Sequence, residues 1–161
     1  MPRKLDSTDW RILRELMADG SLTNVALAGK VGLSAPPCLR RVRALEEAGI
    51  ISGYTALVDE RALGFELTAF AMVGLHNQSE PDLRNFENRI LGWPIVREAY
   101  MLSGESDYIL KCVSRDLSAF QDFILKDLTA GPNVASVKTT LAIRRAKLAP
   151  GVPSASDRET G

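Results

Sequence analysis

The sequence predicts an α+β protein in two parts: an N-terminal helix-turn-helix domain, winged-helix-like, and a C-terminal domain of ferredoxin-like β-α-β-β-α-β order. Three observations carry that prediction. Apolar residues recur at helical spacing through residues 5–49, with glycines between the periodic stretches. At Ile50 the pattern turns β-branched and aromatic. Behind Gly64, strand and helix patterns alternate up to Lys147.

Length and composition agree with two small domains. The chain has 161 residues, 45% apolar and 25% charged, the balance of an ordinary folded protein. No apolar run reaches the ~18 residues of a membrane helix, and the first residues lack a signal peptide's apolar core, so a cytoplasmic protein with no membrane partner is expected. Cys38 and Cys112 are isolated thiols and His76 is a lone histidine. Neither a disulfide framework nor a metal site is indicated; the cysteines read as packing residues and His76 as a surface residue. Net charge is zero but unevenly spread, with 8 Lys/Arg against 4 Asp/Glu in residues 1–45 and 12 against 16 in the remainder. A basic first part suggests that one domain meets phosphate and the other does something else.

Asp6 is placed to cap a first helix that carries Ile12, Leu13, Leu16 and Met17 on one stripe and stops at Gly20. Thr23 caps a second, with Val25, Leu27, Ala28 and Val31 as its apolar contacts before Gly32 turns the chain. Ser34 then opens the third, which ends at Gly49. Pro36 and Pro37 sit in its first turn, where the missing N–H costs nothing. At about 100° per residue, Cys38, Leu39, Val42 and Leu45 share the inner side, while Pro36, Pro37, Arg40 and Ala44 share the outer, flanked by Arg41 and Arg43. Such a face fits a DNA major groove; the plainer reading is a solvated surface helix. Ser34 reads as a helix cap that can add a phosphate contact. Arg40 is the most outward base or phosphate contact, and Arg41 and Arg43 are candidates to clamp phosphates at the groove edges.

Residues 50–64 read as an extended linker ending in a polar turn. The second domain, residues 65–147, begins with a strand from Phe65 to about Leu75 and a helix capped by Ser79 that carries Leu83, Phe86 and Ile90 inward. Gly92-Trp93-Pro94 breaks that helix. Ile95–Ser103 and Tyr108–Val113 form a strand pair around a tight connection. Asp116 caps a helix with Leu117, Phe120, Ile124 and Leu128 inward, and 136–147 is the last strand. Ala69 to Val73 has no polar residue on either side of the pleat, although two helices cover only one face; a second copy of the chain is expected on the other. The tail, 148–161, reads as disordered.

With both parts laid out, the chain resembles the Lrp/AsnC (leucine-responsive/asparagine, feast/famine) family of transcriptional regulators. The resemblance rests on Leu5-Asp6 with Asp9, on Val31-Gly32-Leu33-Ser34, on Cys38 to Val42, on Leu45 to Leu57, and on Ser103-Gly104 with Asp107-Tyr108, covering roughly residues 5–147. It implies a DNA-binding domain joined to an effector-binding domain, dimers that assemble into octamers, and an amino acid or similar metabolite bound between dimers. Ser106 departs from the pattern, since the family places an aromatic residue before the aspartate, and leucine specificity is therefore not implied. An amino acid needs an acceptor for its ammonium, which Asp107 can supply, and donors for its carboxylate. Gly104 permits close approach, Tyr100 and Leu102 offer wall and backbone groups, and Thr139 or Thr140 offers a hydroxyl. The plainer role for Asp107 is to tie down a turn.

The expected function is a ligand-responsive, nucleoid-associated, sequence-specific DNA-binding regulator. An architectural protein that wraps DNA with loose preference is compatible with the same residues. An enzyme is disfavoured by the lack of a nucleophile motif, a phosphate-binding glycine loop or metal spacing, and no cofactor is expected. A stand-alone metabolite sensor is disfavoured by the helix-turn-helix.

Overall fold

The computed structural model describes residues 4–154. The chain divides into two compact units, residues 58–146 forming one and the residues on either side forming the other.

The first unit holds α1 (Ser7–Ala18), α2 (Asn24–Val31) and α3 (Ala35–Glu47). Asp6 starts α1 through a reciprocal capping box: its carboxylate accepts the Asp9 N–H at 2.8 Å, and the Asp9 carboxylate faces the Asp6 N–H at 3.4 Å. Thr23 caps α2 by accepting from the Ala26 N–H at 3.2 Å. Gly32, at φ +72°, turns the chain from α2 toward α3, a conformation that favours glycine. Gly49, at φ +69°, ends α3 in a Schellman motif, with Ile50 N–H donating to Leu45 C=O at 3.0 Å and Gly49 N–H to Glu46 C=O at 2.9 Å. Ile12, Leu13, Leu27, Ala28, Val31, Cys38 and Leu45 form one core. Burying a side chain the size of Leu45 contributes about 1.5–3 kcal/mol. Two expected inner residues are outside: Val25 is 73% exposed and Leu39 36%. Each lies at the margin of its helix's apolar stripe.

The second unit is a four-stranded antiparallel sheet, ordered β2-β3-β1-β4, from β1 (Leu67–Leu75), β2 (Val96–Met101), β3 (Tyr108–Ser114) and β4 (Val134–Leu141). With α4 (Glu80–Leu91) and α5 (Leu117–Asp122) this is the expected β-α-β-β-α-β order. Ser79 and Asp116 cap the helices, accepting from Asp82 N–H and Ala119 N–H. Alternation along β1 sends Ala69, Ala71, Val73 and Leu75 into the core with Tyr108, Leu110, Cys112, Phe86, Phe120 and Leu128. Phe70 and Met72 point to the opposite face and are only half-buried. The expected inward Leu117 is 46% exposed. After Asp122 the helix widens into a π-helical turn, Phe123–Leu128, with Thr129 N–H donating to Ile124 C=O at 2.9 Å. Phe123, three residues after Phe120, joins it in the core although it was not expected there, and the five-residue spacing keeps Leu128 on the same side.

Three boundaries differ from expectation. β4 ends at Leu141 rather than 147, because its partner strand has only Leu67 and Thr68 left beyond the Ala69–Leu141 pair. The presumed linker, 50–64, divides: Tyr54 donates to Glu46 within the first unit, whereas Glu60 accepts from Arg145 and Thr68 in the second. Of the expected disordered tail, residues 148–154 instead lie with the first unit, where Gly151, at φ +91°, meets Met17, the Val152 N–H reaches the Met17 sulfur at 3.5 Å, and Ser154 is buried. Residues 155–161 lie outside the described residues.

Candidate DNA-binding face and effector loop

The start of α3 is held by α2: Asn24 donates its side-chain N–H to the Ala35 carbonyl at 2.8 Å. Ser34 stands at the cap position with extended backbone, yet its hydroxyl accepts no first-turn amide. Pro36 and Pro37 explain this correction to its expected role. They occupy the two positions whose N–H groups a cap would engage, and proline has none. The exposed Ser34 hydroxyl faces water.

Pro36, Leu39, Arg40, Arg43, Ala44 and Glu47 line one shallow concavity on the outer face of α3. Arg40 and Arg43 are exposed there, as expected, and Pro37 is half-buried beside it. Arg41 differs. Its guanidinium sits 2.7 Å from an Asp6 oxygen and 2.8 Å from Asp9, the latter carboxylate being almost wholly buried. The two side-chain hydrogen bonds push the Arg41 pKa further up, Asp6 first. Asp6 is held below the usual carboxylate range, chiefly by the Asp9 backbone N–H and then by Arg41. Arg41 therefore fastens α3 to the start of α1, a tie 32 to 35 residues long in sequence that no local pattern announces. Leu39 is the member of the outer face that helical spacing alone assigned inward.

In the second unit, Tyr100, Leu102, Gly104 and Asp107 lie along one hairpin, the end of β2 and the connection to β3. The Leu102 N–H closes it onto the Asp107 carbonyl at 2.8 Å, and Gly104, at φ +155°, forms its bend. Asp107 ties down more than its own turn. One carboxylate oxygen accepts from the Leu75 N–H at 2.6 Å and from Gln78 Nε2 at 3.5 Å, and the Asp107 N–H donates to Val73 C=O at 2.9 Å. The other oxygen has no hydrogen bond among the described residues. Leu75 and Gln78 were missed because they stand about thirty residues upstream. Tyr100 is 59% exposed on the open sheet face and donates to Glu98 at 3.0 Å, which raises its pKa.

Thr139 and Thr140 are not brought to this loop. They pair with Ala71 and Phe70, on opposite faces of β4, whereas β1 is level with Asp107 near Val73–Leu75. The β4 residue there is Ser136, whose hydroxyl lies so close over Gly74 that a Cβ on Gly74 would stand 2.6 Å from it. Register along the edge strand, which sequence leaves open, decides this.

Comparison with known proteins covers both units. Residues 5–52 match the model for winged helix-turn-helix DNA-binding domains, and residues 68–152 match the Lrp/AsnC ligand binding domain. The leucine-responsive regulatory protein of Rhizobium meliloti is 58% identical over 144 residues, 89% of this chain and 92% of that protein. A transcriptional regulator of Neisseria meningitidis, solved as a complex with L-methionine, is 35% identical with a TM-score of 0.89, covering 93% of this chain and 97% of that one. An AsnC-family regulator from Agrobacterium tumefaciens is 34% identical with a TM-score of 0.86, covering 92% and 97%. With both of its units accounted for in order and at this similarity, the chain belongs to the Lrp/AsnC family of transcriptional regulators, joining a helix-turn-helix DNA-binding domain to a ligand-binding domain.

Proposed function

We propose that this regulator reads double-stranded DNA through the outer face of α3 and that an amino acid or related metabolite, held at the hairpin of Leu102–Asp107, sets its assembly or its grip on DNA. The observation that carries the reading is the division of labour among the arginines: Arg41 is consumed by Asp6 and Asp9, which leaves Arg40 and Arg43 exposed on a rigidly seated helix. Ser34, with its hydroxyl uncommitted, and Pro36 complete the contact surface, and Pro37 shapes the first turn. Arg41 acts by holding the helix.

For the effector, the second Asp107 oxygen is the acceptor for an ammonium, while Gly104 and the Leu102 region furnish main-chain approach. The methionine complex of the Neisseria regulator supports an amino acid as the ligand class. The half-buried apolar face of the sheet, with Phe70 and Met72 at its centre, supports a homodimer formed sheet to sheet, and octamers built from such dimers follow the family resemblance. The protein works as a binding switch in the cytoplasm, on the nucleoid, with no catalytic step. Among the described residues, no helix is long and apolar enough to cross a membrane.

A thermal-shift screen of the common amino acids against the full-length protein tests the reading. A selective rise in midpoint is expected from the effector, and calorimetry of that amino acid with Asp107→Asn should show its affinity lost. No selective ligand, or undiminished affinity in the variant, overturns the effector site.

A further inference from the structure

Leu39 is an aliphatic side chain left 36% exposed on a helix face otherwise defined by arginines, and it takes no part in the core of its own unit. Its neighbours on that face, Pro36 and Ala44, likewise carry no hydrogen-bonding side-chain atom. Three such residues are unable to read the donors and acceptors of a base edge. In the major groove, the one apolar group offered by the bases is the C5-methyl of thymine. We infer that Leu39, with Pro36 beside it, is a specificity-determining residue that packs on thymine methyls, so that this face selects A·T pairs at one or two fixed positions of each half-site.

The inference rests on the DNA-binding reading above and goes further by naming the bases. Charge argues for a nucleic acid as the occupant. Arg40 and Arg43 stand on the same concavity, both following Leu39 along the helix, and are placed to meet phosphates while the apolar patch meets the bases. Spacing agrees: Pro36 and Leu39 are three residues apart, about 4.5 Å of helix rise, little more than one step of base pairs at ~3.4 Å. Glu47, at the far end of the face, repels phosphate and confines the contact to the first turns.

The experiment starts by selecting tight-binding duplexes from a random-sequence pool with the full-length protein. The winning duplex is then made in two copies that differ only by deoxyuridine in place of thymidine, which deletes the methyl groups and nothing else. Wild type should bind the uridine copy about four-fold more weakly for each methyl in contact, the equivalent of one buried methylene. Leu39→Ala, a change at an exposed position, should bind the two copies alike. Arg40→Ala should weaken on both and keep the wild-type ratio. Wild-type binding of both copies within about twofold overturns the inference, as does an unchanged ratio in Leu39→Ala. A Leu39→Ala protein that differs in sedimentation instead assigns the patch to contact between copies of this chain. If the pool yields no enriched duplex, the DNA-binding reading itself falls, and this inference with it.

Discussion

Arg40 and Arg41 are adjacent, carry the same charge and have different work. Arg40 is exposed on the outer face of α3, whereas the Asp6 cap and Asp9 of α1 hold Arg41. Arg40→Ala should therefore weaken operator binding by about 1–3 kcal/mol with the fold intact, read in a titration against the selected duplex; wild-type affinity in the variant would remove Arg40 from the interface. The clamp itself is visible in acid. The folded-state pKa of Asp6 lies below its unfolded value of 3.8, so its stabilisation is present above about pH 4 and is lost as pH falls through the lowered folded value. Asp6→Asn should melt below wild type at neutral pH, and the two should converge in strong acid. Melting curves offset equally at every pH would show that the charge plays no part. What sequence gave away at this scale was local: the caps Asp6, Thr23, Ser79 and Asp116 are all written within four residues of their helices. The partners of Arg41 and Asp107 lie some thirty residues distant, and the silence of Ser34 as a cap came from two prolines whose absence of donors outweighed its own acceptor.

At the scale of elements, order was legible and boundaries were not. Each strand and helix of the second unit follows from alternation or helical spacing, but where a strand stops depends on its partner's length, as β4 does against β1. The π-helical turn illustrates how a carbonyl end is finished from afar. Arg89 of α4 donates to the Asp127 carbonyl at 2.8 Å and to the Pro132 carbonyl at 3.4 Å, with its guanidinium 4.9 Å from the Trp93 ring centre. Gly131 leaves the room it needs, since a Cβ there would overlap the guanidinium. Gly131→Ala should cost no more than about 1 kcal/mol, by displacing Arg89 from two exposed carbonyls that water then takes over. In an Arg89→Ala background the same change should be nearly neutral, and chemical denaturation of the four proteins measures the coupling. Equal costs in both backgrounds would mean that the glycine serves its backbone alone.

At the scale of the whole molecule, the open face of the sheet is the surface on which the proposed dimer rests. Alternation puts Phe70 and Met72 of β1, Ile109 and Val113 of β3 and Tyr100 of β2 on the side away from the helices. The ion pair of Lys111 with Glu98, 2.6 Å long, and Lys138 of β4 share that side. Apolar residues of β1 and β3 make up most of the patch, with the paired Lys111 among them opposite Phe70 and Lys138 on the edge strand. Sequence pointed to this face through the uninterrupted apolar run of β1, though not to its width, which depends on how β3 and β4 register against that strand. In a two-fold dimer each substitution is met twice, so Phe70→Asp sets two carboxylates into one contact, where the facing Lys111 is already held by Glu98. Because Phe70 is only half-buried within the chain, the variant should fold and should associate at least ~100-fold more weakly, giving monomers at micromolar concentration in sedimentation. Its binding to an operator with two half-sites should fall toward that of a single half-site, because the second recognition helix is no longer delivered at high effective concentration. A Phe70→Asp protein that sediments as wild type would move the dimer contact off the sheet and leave the pairing of the recognition helices to another surface.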